Sequence, residues 1–181
     1  MKYKIIKDTN PKLRKKSEEV SLPLNEEDKQ TLDFMLDYLK KSQDEEYAKK
    51  RNIRAGVGLA APQLGILKRM FCVYFTDENN CLYEYQLVNP KIVMSSLKLA
   101  ALKEGEGCLS VDKIHQGLVH RRFEILIKGY DAKTNSNIEL KLKGFPSIVF
   151  QHEYDHLDGI LFYDRIDLLK PNEKKDNETL L

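Results

Sequence analysis

The sequence lacks any run of about 18 consecutive apolar residues, the length that a helix needs to cross a bilayer. Its first residues, MKYKIIKDTNPKLRKK, also lack the apolar centre of a secretory signal peptide. Both absences argue against a membrane protein and against export. We therefore expect a soluble, cytoplasmic protein that does not act at a membrane.

Cysteine is scarce and the charge is nearly balanced. Three cysteines are an odd number, which disfavours a disulfide framework and leaves thiols free for other chemistry. The formal net charge is +2 with 32% charged residues, which favours neither a nucleic-acid binder nor an acidic protein. We predict one domain over residues 1–181, without internal repeats and without specific nucleic-acid binding.

Hydrophobic periodicity predicts a mixed fold. Residues 25–41 carry apolar side chains at helical spacing, at Leu32, Met35, Leu36 and Leu39. Segments rich in β-branched and aromatic residues predict four strands, over residues 69–75, 85–93, 124–131 and 138–144. Strands outnumber helices and lie in the middle of the chain, which favours an α+β fold over alternating βαβ units.

Two charged segments show little apolar pattern. QDEEYAKKRNIR, residues 43–54, is typical of a solvated helix end or an insertion, with a contact surface as the alternative. The tail, about residues 170–181, is charged and weakly patterned, so we expect it to be frayed.

The stretch QHEYDHLDG, residues 151–159, places two histidines four residues apart with a glutamate after the first. Because the chain has only four histidines, a chance match to the metal-binding motif H-E-x-x-H is improbable. Pro146 suits a first helical turn and Gly159 suits a helix end, so both imidazoles should share one helical face. Glu153 lies about 100° around the axis, where it can approach metal-bound water without binding the metal. The alternative is a solvated helix face that happens to carry two histidines.

A catalytic zinc-type site usually has a third protein ligand. No histidine follows His156, and Phe162 stands where extended zincin motifs place one. Cys108, within EGEGCLSV, would complete a set of one thiolate and two imidazoles, which suits Zn²⁺ or Fe²⁺. The alternative third ligand is a downstream carboxylate, from Asp164, Asp167 or Glu173.

GVGLAAPQLG, residues 56–65, formally matches a dinucleotide-binding fingerprint. The residues before it, KKRNIRA, are not a buried strand, and Pro62 interrupts the helix that would hold phosphates, so the match fails on context. The glycines instead let the backbone approach a ligand closely, and Gln63 offers an amide donor beside them.

Together, GVGLAAPQ (56–63), EGCLS (106–110) and HEYDHLDG (152–159) resemble the three motifs of the peptide deformylase family, in that order. The opening segment KIIKDTNPKLRKKSEEV is similar to that family's N-terminal segment, so the resemblance spans about residues 4–168. The charged segment before the first motif resembles the Gram-positive class of the family. The resemblance implies an α+β fold of mostly antiparallel sheets, packed around a C-terminal helix that carries H-E-x-x-H.

The resemblance also implies the activity. It is a metal-dependent amide hydrolysis that removes the formyl group from the N-terminal formyl-methionine of new polypeptides and releases formate. The implied cofactor is one divalent metal ion, usually Fe²⁺ in the cell and replaceable by Zn²⁺, Ni²⁺ or Co²⁺. The implied metal ligands are Cys108, His152 and His156. The implied partners are N-formyl-methionyl nascent chains, with a transient contact to the ribosome.

Roles for further residues follow from the same resemblance. Glu153 would be the general base, while Gln63 and the backbone N–H of Leu109 would stabilise the negative charge that develops on the formyl oxygen. The remaining six implied positions contact the substrate, and they are Gly56, Val57, Gly58, Phe145, Ile148 and Val149.

The residues leave two other hypotheses open. A zinc metalloprotease with a distant carboxylate ligand would cut internal peptide bonds and would not need Cys108. A structural metal site in a binding module would have a closed coordination sphere and would leave Gln63 and Glu153 without roles.

Overall fold

The structure, a computed structural model, describes residues 3–181. Within this range the α-helices are α1 (Glu26–Ser42), α2 (Glu45–Arg51) and α3 (Phe145–Leu157). The strands are β1 (Gly58–Ala60), β2 (Met70–Thr76), β3 (Leu82–Ser95), β4 (Leu99–Ala101), β5 (Arg121–Arg122), β6 (Glu124–Asp131), β7 (Ser136–Lys143) and β8 (Glu178–Leu180). Short 3₁₀ helices cover Pro11–Arg14, Ala61–Leu64 and Phe162–Arg165.

The strands form two sheets. The larger sheet has the order β1-β2-β3-β6-β7, and all of its neighbouring strands are antiparallel. The smaller sheet has the order β5-β4-β8, in which β4 pairs antiparallel with β5 and parallel with β8. The α+β prediction with mostly antiparallel sheets is therefore confirmed.

Strand β2 separates two apolar clusters, because its side chains point alternately to opposite faces. Met70 and Cys72 belong to the cluster that includes the apolar face of α1. Phe71 and Val73 belong to the cluster that includes α3, where the rings of Phe71 and Phe150 meet edge to face at 5.8 Å. Helices α1 and α3 thus pack on opposite sides of the larger sheet.

Helix α1 confirms the prediction for residues 25–41 within one residue at each end. Asn25 caps it by accepting a hydrogen bond from the N–H of Asp28 at 2.8 Å, which satisfies one free donor of the first turn. All four predicted apolar residues are buried, at Leu32, Met35, Leu36 and Leu39.

Helix α3 carries H-E-x-x-H and has buried residues on several of its sides, among them Ile148, Phe150 and His156. Pro146 lies in its first turn, where a missing N–H costs nothing. Gly159, just beyond its end, has a φ of +75°, and a Cβ at this position would overlap the backbone of Arg14. Both terminal signals in the sequence therefore mark the real ends of this helix.

The charged segment over 43–54 contains α2, of which no residue is buried. The prediction of a solvated helix end is correct for the helix itself. Asn52 ends α2 in the left-handed conformation, with a φ of 50°. The chain then continues through Arg54 into the glycine-rich segment at 56–65.

The prediction of a frayed tail is wrong for the last residues. Strand β8 pairs in register with β4, with Glu178 opposite Leu99 and Leu180 opposite Ala101. Glu178 is also buried, and its carboxylate lies 2.6 Å from Nδ1 of His120. Pairing with a distant strand orders a segment whose own apolar pattern is weak.

In the described part of the chain, no helix combines the length and the apolar character that crossing a membrane requires.

Candidate metal centre and the surrounding pocket

Cys108, His152 and His156 come together as a group whose ligand atoms all lie within 4.8 Å of one another. Sγ of Cys108 is 3.4 Å from Nε2 of His156. The two histidines lie one helical turn apart on α3, with ring centroids 5.0 Å apart. The structure therefore brings together the three ligands that the resemblance implied.

The electrostatic environment of this cluster favours a bound cation. Burial lowers the pKa of His152, but Cys108 and Glu106 outweigh burial and raise the pKa of His152 well above its usual value. Burial, together with His152, lowers the pKa of His156, which favours the neutral imidazole that binds metals. The site thus accepts a positive charge beside Cys108, and a divalent ion supplies one. The donor set of one thiolate and two imidazoles fits Fe²⁺ or Zn²⁺.

No alternative carboxylate joins the cluster within residues 3–181. Asp164 instead pairs with Arg14 and accepts from the N–H of Leu161 at 2.8 Å. Asp167 caps the following turn by accepting from the N–H of Leu169, and Glu173 pairs with a lysine. The geometry gives no support to a protease-like carboxylate ligand.

Glu153 is 3% exposed and its Oε2 has no hydrogen-bond partner among the described residues. Burial raises the pKa of Glu153 to about 7. Its carboxylate lies against Gly58 of β1, and a Cβ on Gly58 would overlap it. A side chain at position 58 would therefore prevent β1 from lying this close to the carboxylate of Glu153.

Gln63 is buried and its amide is oriented by three contacts. Its Oε1 accepts from the N–H of Ala60 at 2.8 Å. The Nε2 donor is thereby directed toward the Cys108, His152 and His156 side chains. Nε2 lies 3.4 Å from Sγ of Cys108 and 3.2 Å from Oγ of Ser110. The 3₁₀ helix Ala61–Leu64, which follows β1 directly, sets the position of this side chain.

Glu106 links the cluster to a buried ionic network that the sequence analysis did not predict. Its Oε2 lies 2.8 Å from Nδ1 of His152, which leaves Nε2 of that ring for a metal. Arg121 donates to both carboxylate oxygens of Glu106 and, at 2.7 Å, to Asp155. Burial alone would raise the pKa of Glu106, but Arg121 and His152 outweigh it and hold the pKa at about 2. Arg165 completes the network through two contacts to Asp155.

The sequence offered partial signals for this network. Glu106 opens the motif EGCLS, and Asp155 shares the buried face of α3 with the two histidines. A buried carboxylate needs a cationic partner. Arg121 lies 34 residues from Asp155 and 15 from Glu106, so only the fold identifies it as that partner.

A cavity of about 360 Å³ opens in front of the cluster. The six residues implied as substrate contacts all line it, and they are Gly56, Val57, Gly58, Phe145, Ile148 and Val149. Gln63, Leu109 and Glu153 line it as well. Among the implied site residues, His156 alone is not part of the lining, being buried in contact with Cys108.

Comparison with known proteins gives a consistent result. The family model for polypeptide deformylase matches residues 2–172. The peptide deformylase of Shouchella clausii is 53% identical over 171 residues, which cover 94% of this chain and 93% of that protein. Peptide deformylase 2 of Bacillus subtilis is 48% identical over 96% of this chain and 94% of its own length. The crystal structure of peptide deformylase from Thermotoga maritima superposes with a TM-score of 0.70 at 32% identity, covering 92% of this chain and 99% of that one. The chain belongs to the peptide deformylase family.

Proposed function

We propose that this protein is a metal-dependent amide hydrolase that removes the formyl group from N-terminal formyl-methionine and releases formate. One structural observation supports the proposal in addition to family membership. A largely buried Cys-His-His cluster lies beside a buried carboxylate with a free oxygen, at the end of a cavity with mostly apolar walls.

Cys108, His152 and His156 would hold the metal, which we propose to be Fe²⁺, with Zn²⁺, Ni²⁺ or Co²⁺ as substitutes. When bound, such an ion supplies Lewis acidity, which makes water more acidic and polarises a carbonyl group. Glu106 supports the ligand set by fixing the tautomer and the orientation of His152.

Glu153 would move the proton. Its free Oε2 can accept a proton from the attacking water and later give it to the departing amine. A pKa of about 7 suits both directions of transfer near neutral pH. Hydrolysis then yields formate and a free amino group, and the carboxylate returns to its starting state.

Two donors would stabilise the negative charge that develops on the formyl oxygen. Gln63 Nε2 is held toward the cluster by the bond that its Oε1 accepts from Ala60. The backbone N–H of Leu109 is the second donor. Donors that are already oriented cost no reorganisation at the moment of reaction, which is why they lower the barrier.

The methionine side chain would enter the apolar part of the cavity, between Phe145, Ile148 and Val149. The substrate backbone would run beside Gly56 and Gly58, where the absence of side chains permits close approach. A formyl carbon carries only hydrogen, so a tight site excludes larger acyl groups.

The wider setting is part of the same proposal. We propose that residues 1–181 form a single deformylase-like catalytic domain that acts in the cytoplasm. Its partners would be N-formyl-methionyl nascent chains, met during a transient contact with the ribosome.

The test is to purify the protein without oxygen, measure metal per chain, and assay formate release from a formyl-Met peptide. An N-terminally blocked peptide without a formyl group serves as the control substrate. We expect formate from the first peptide and no cleavage of the second. Efficient cleavage of the control peptide would favour a metalloprotease and contradict the proposal.

A further inference from the structure

Arg54 reaches from the segment after α2 to the loop that carries Cys108. Its Nη2 lies 3.1 Å from the carbonyl oxygen of Cys108 and 3.0 Å from that of Leu109. Its Nη1 lies 3.1 Å from the carbonyl oxygen of Val111. One guanidinium therefore donates to three backbone carbonyls within four residues, although its side chain is 53% exposed.

The first of these contacts also determines the direction of a neighbouring donor. The carbonyl of Cys108 and the N–H of Leu109 belong to one planar, trans peptide unit, in which they point in opposite directions. A guanidinium that helps to fix the carbonyl therefore helps to fix the direction of the N–H. Among the residues that the structure describes, none accepts a hydrogen bond from this N–H. Cys108 and Leu109 both line the cavity.

A second cation supports the same loop through a different peptide unit. Nζ of Lys7 lies 3.2 Å from the carbonyl oxygen of Leu109 and 2.8 Å from Asp112. That carbonyl shares its peptide unit with the N–H of Ser110, which lies 3.4 Å from Sγ of Cys108. Lys7 does not contact the carbonyl of Cys108. That carbonyl accepts from the backbone N–H of Val111 at 3.1 Å and from Arg54, so Arg54 is the one side chain in this group that acts on the peptide unit of the Leu109 donor.

We propose that Arg54 is a positioning residue, which holds the backbone N–H of Leu109 toward the formyl oxygen of the substrate. The inference rests on the proposed function, because it assigns that N–H to the developing negative charge. Arg54 also polarises the peptide unit, which strengthens the N–H as a donor. The charged segment 43–54 thereby gains a role that its solvated helix does not suggest.

The kinetic test compares Arg54→Ala and Arg54→Lys with Arg51→Ala. Arg51 lies in α2, stacks over Tyr47 at 5.7 Å, and serves as a matched control because it carries the same charge. In Arg54→Ala the donor remains, but its peptide unit loses one of the two hydrogen bonds that hold its direction, so we expect kcat to fall about tenfold, less than the loss of an entire donor. KM and metal per chain should stay near the parent values, because the interaction belongs to the transition state.

Arg54→Lys should give an intermediate kcat, since an ammonium lacks the planar fork that reaches several carbonyls together. Arg51→Ala should match the parent. Lys7 still ties the loop in each variant, so the loop is expected to stay folded. An unchanged kcat in Arg54→Ala, or a loss of metal in that variant, overturns the inference.

A second measurement does not depend on activity. In Zn²⁺-loaded protein labelled with ¹⁵N-leucine, the Leu109 amide signal can be identified by its loss in Leu109→Ile. We expect this signal to shift and to exchange faster with solvent in Arg54→Ala, and to stay unchanged in Arg51→Ala. An unchanged signal in Arg54→Ala contradicts the inference even if the parent deformylates peptides. A parent that releases no formate contradicts the proposed function instead, while the amide signal still tests the effect of Arg54.

Discussion

The two sides of the candidate metal site, Cys108 on one and His152 with His156 on the other, are built in different ways. His152 and His156 lie one turn apart on α3, a buried helix whose regular geometry fixes their separation. Cys108 lies in a loop without regular structure, held by Arg54 and Lys7 from distant parts of the chain. Local periodicity positions one side, whereas long-range contacts position the other. Substitutions on the two sides should therefore have different consequences for chemistry and for metal binding.

Among variants that keep all three proposed metal ligands, the largest effect is expected on the helix side, for Glu153→Gln. Glutamine keeps the size of the side chain but cannot accept a proton at neutral pH. Formate release should fall by about 10²–10⁴, the range that general acid–base catalysis supplies. The variant spares all three ligands, so metal per chain should stay near the parent value. Activity close to that of the parent would show that another group is the base.

The next effect is expected for Gln63→Ala, which removes a donor between the two sides. Turnover should drop by about 10²–10³, the usual cost of losing one oxyanion donor. Gln63 is not a metal ligand, so metal content serves as the internal control. Unchanged turnover removes Gln63 from the mechanism.

Glu106→Gln tests the ionic network that supports the helix side. Loss of the charge weakens the contact to His152, and we expect metal affinity to fall by about 10–100-fold. Glu124→Gln is a matched control, because that carboxylate lies at the surface with Lys141 and Lys143. Competition with a coloured chelator measures both variants. Equal affinities would mean that the Glu106 contact does not tune the site.

The smallest effect is expected on the loop side, for Ser110→Ala. Ser110 is buried, and its hydroxyl accepts a single hydrogen bond from Gln63 at 3.2 Å. Removing one neutral hydrogen bond corresponds to about a 2–10-fold loss of turnover. Steady-state formate release measures it, and a loss as large as that of Gln63→Ala would show that Ser110 has a more direct role.

The same contrast explains what the sequence could predict. The apolar spacing in α1 and the H-E-x-x-H spacing in α3 are local patterns, and the structure confirms both elements. Strands β1, β4 and β8 have only three residues each, which is too short for a recognisable period. Strand β8 in particular is ordered by pairing with β4, some 80 residues earlier in the chain.

The site shows the same division. The three motifs contain Cys108, His152 and His156, which the structure brings together, and part of the cavity lining, because each motif is a short continuous segment. Phe145, Ile148 and Val149 also line the cavity but lie outside the motifs. Arg54 and Arg121 act through partners 54 and 15 residues away, on Cys108 and Glu106 respectively. Neither residue lies in a motif, so their contacts follow from the tertiary fold alone.

The central claim is that Cys108 completes the metal site while Glu153 serves only the chemistry. Its most direct test is metal per chain in Cys108→Ala and Glu153→Gln, loaded with the same metal and measured side by side with formate release. We expect Glu153→Gln to keep about one metal per chain without releasing formate at the parent rate, and Cys108→Ala to lose both metal and activity. If Glu153→Gln loses its metal while Cys108→Ala keeps it, the third ligand is wrongly assigned and a carboxylate ligand becomes the better description.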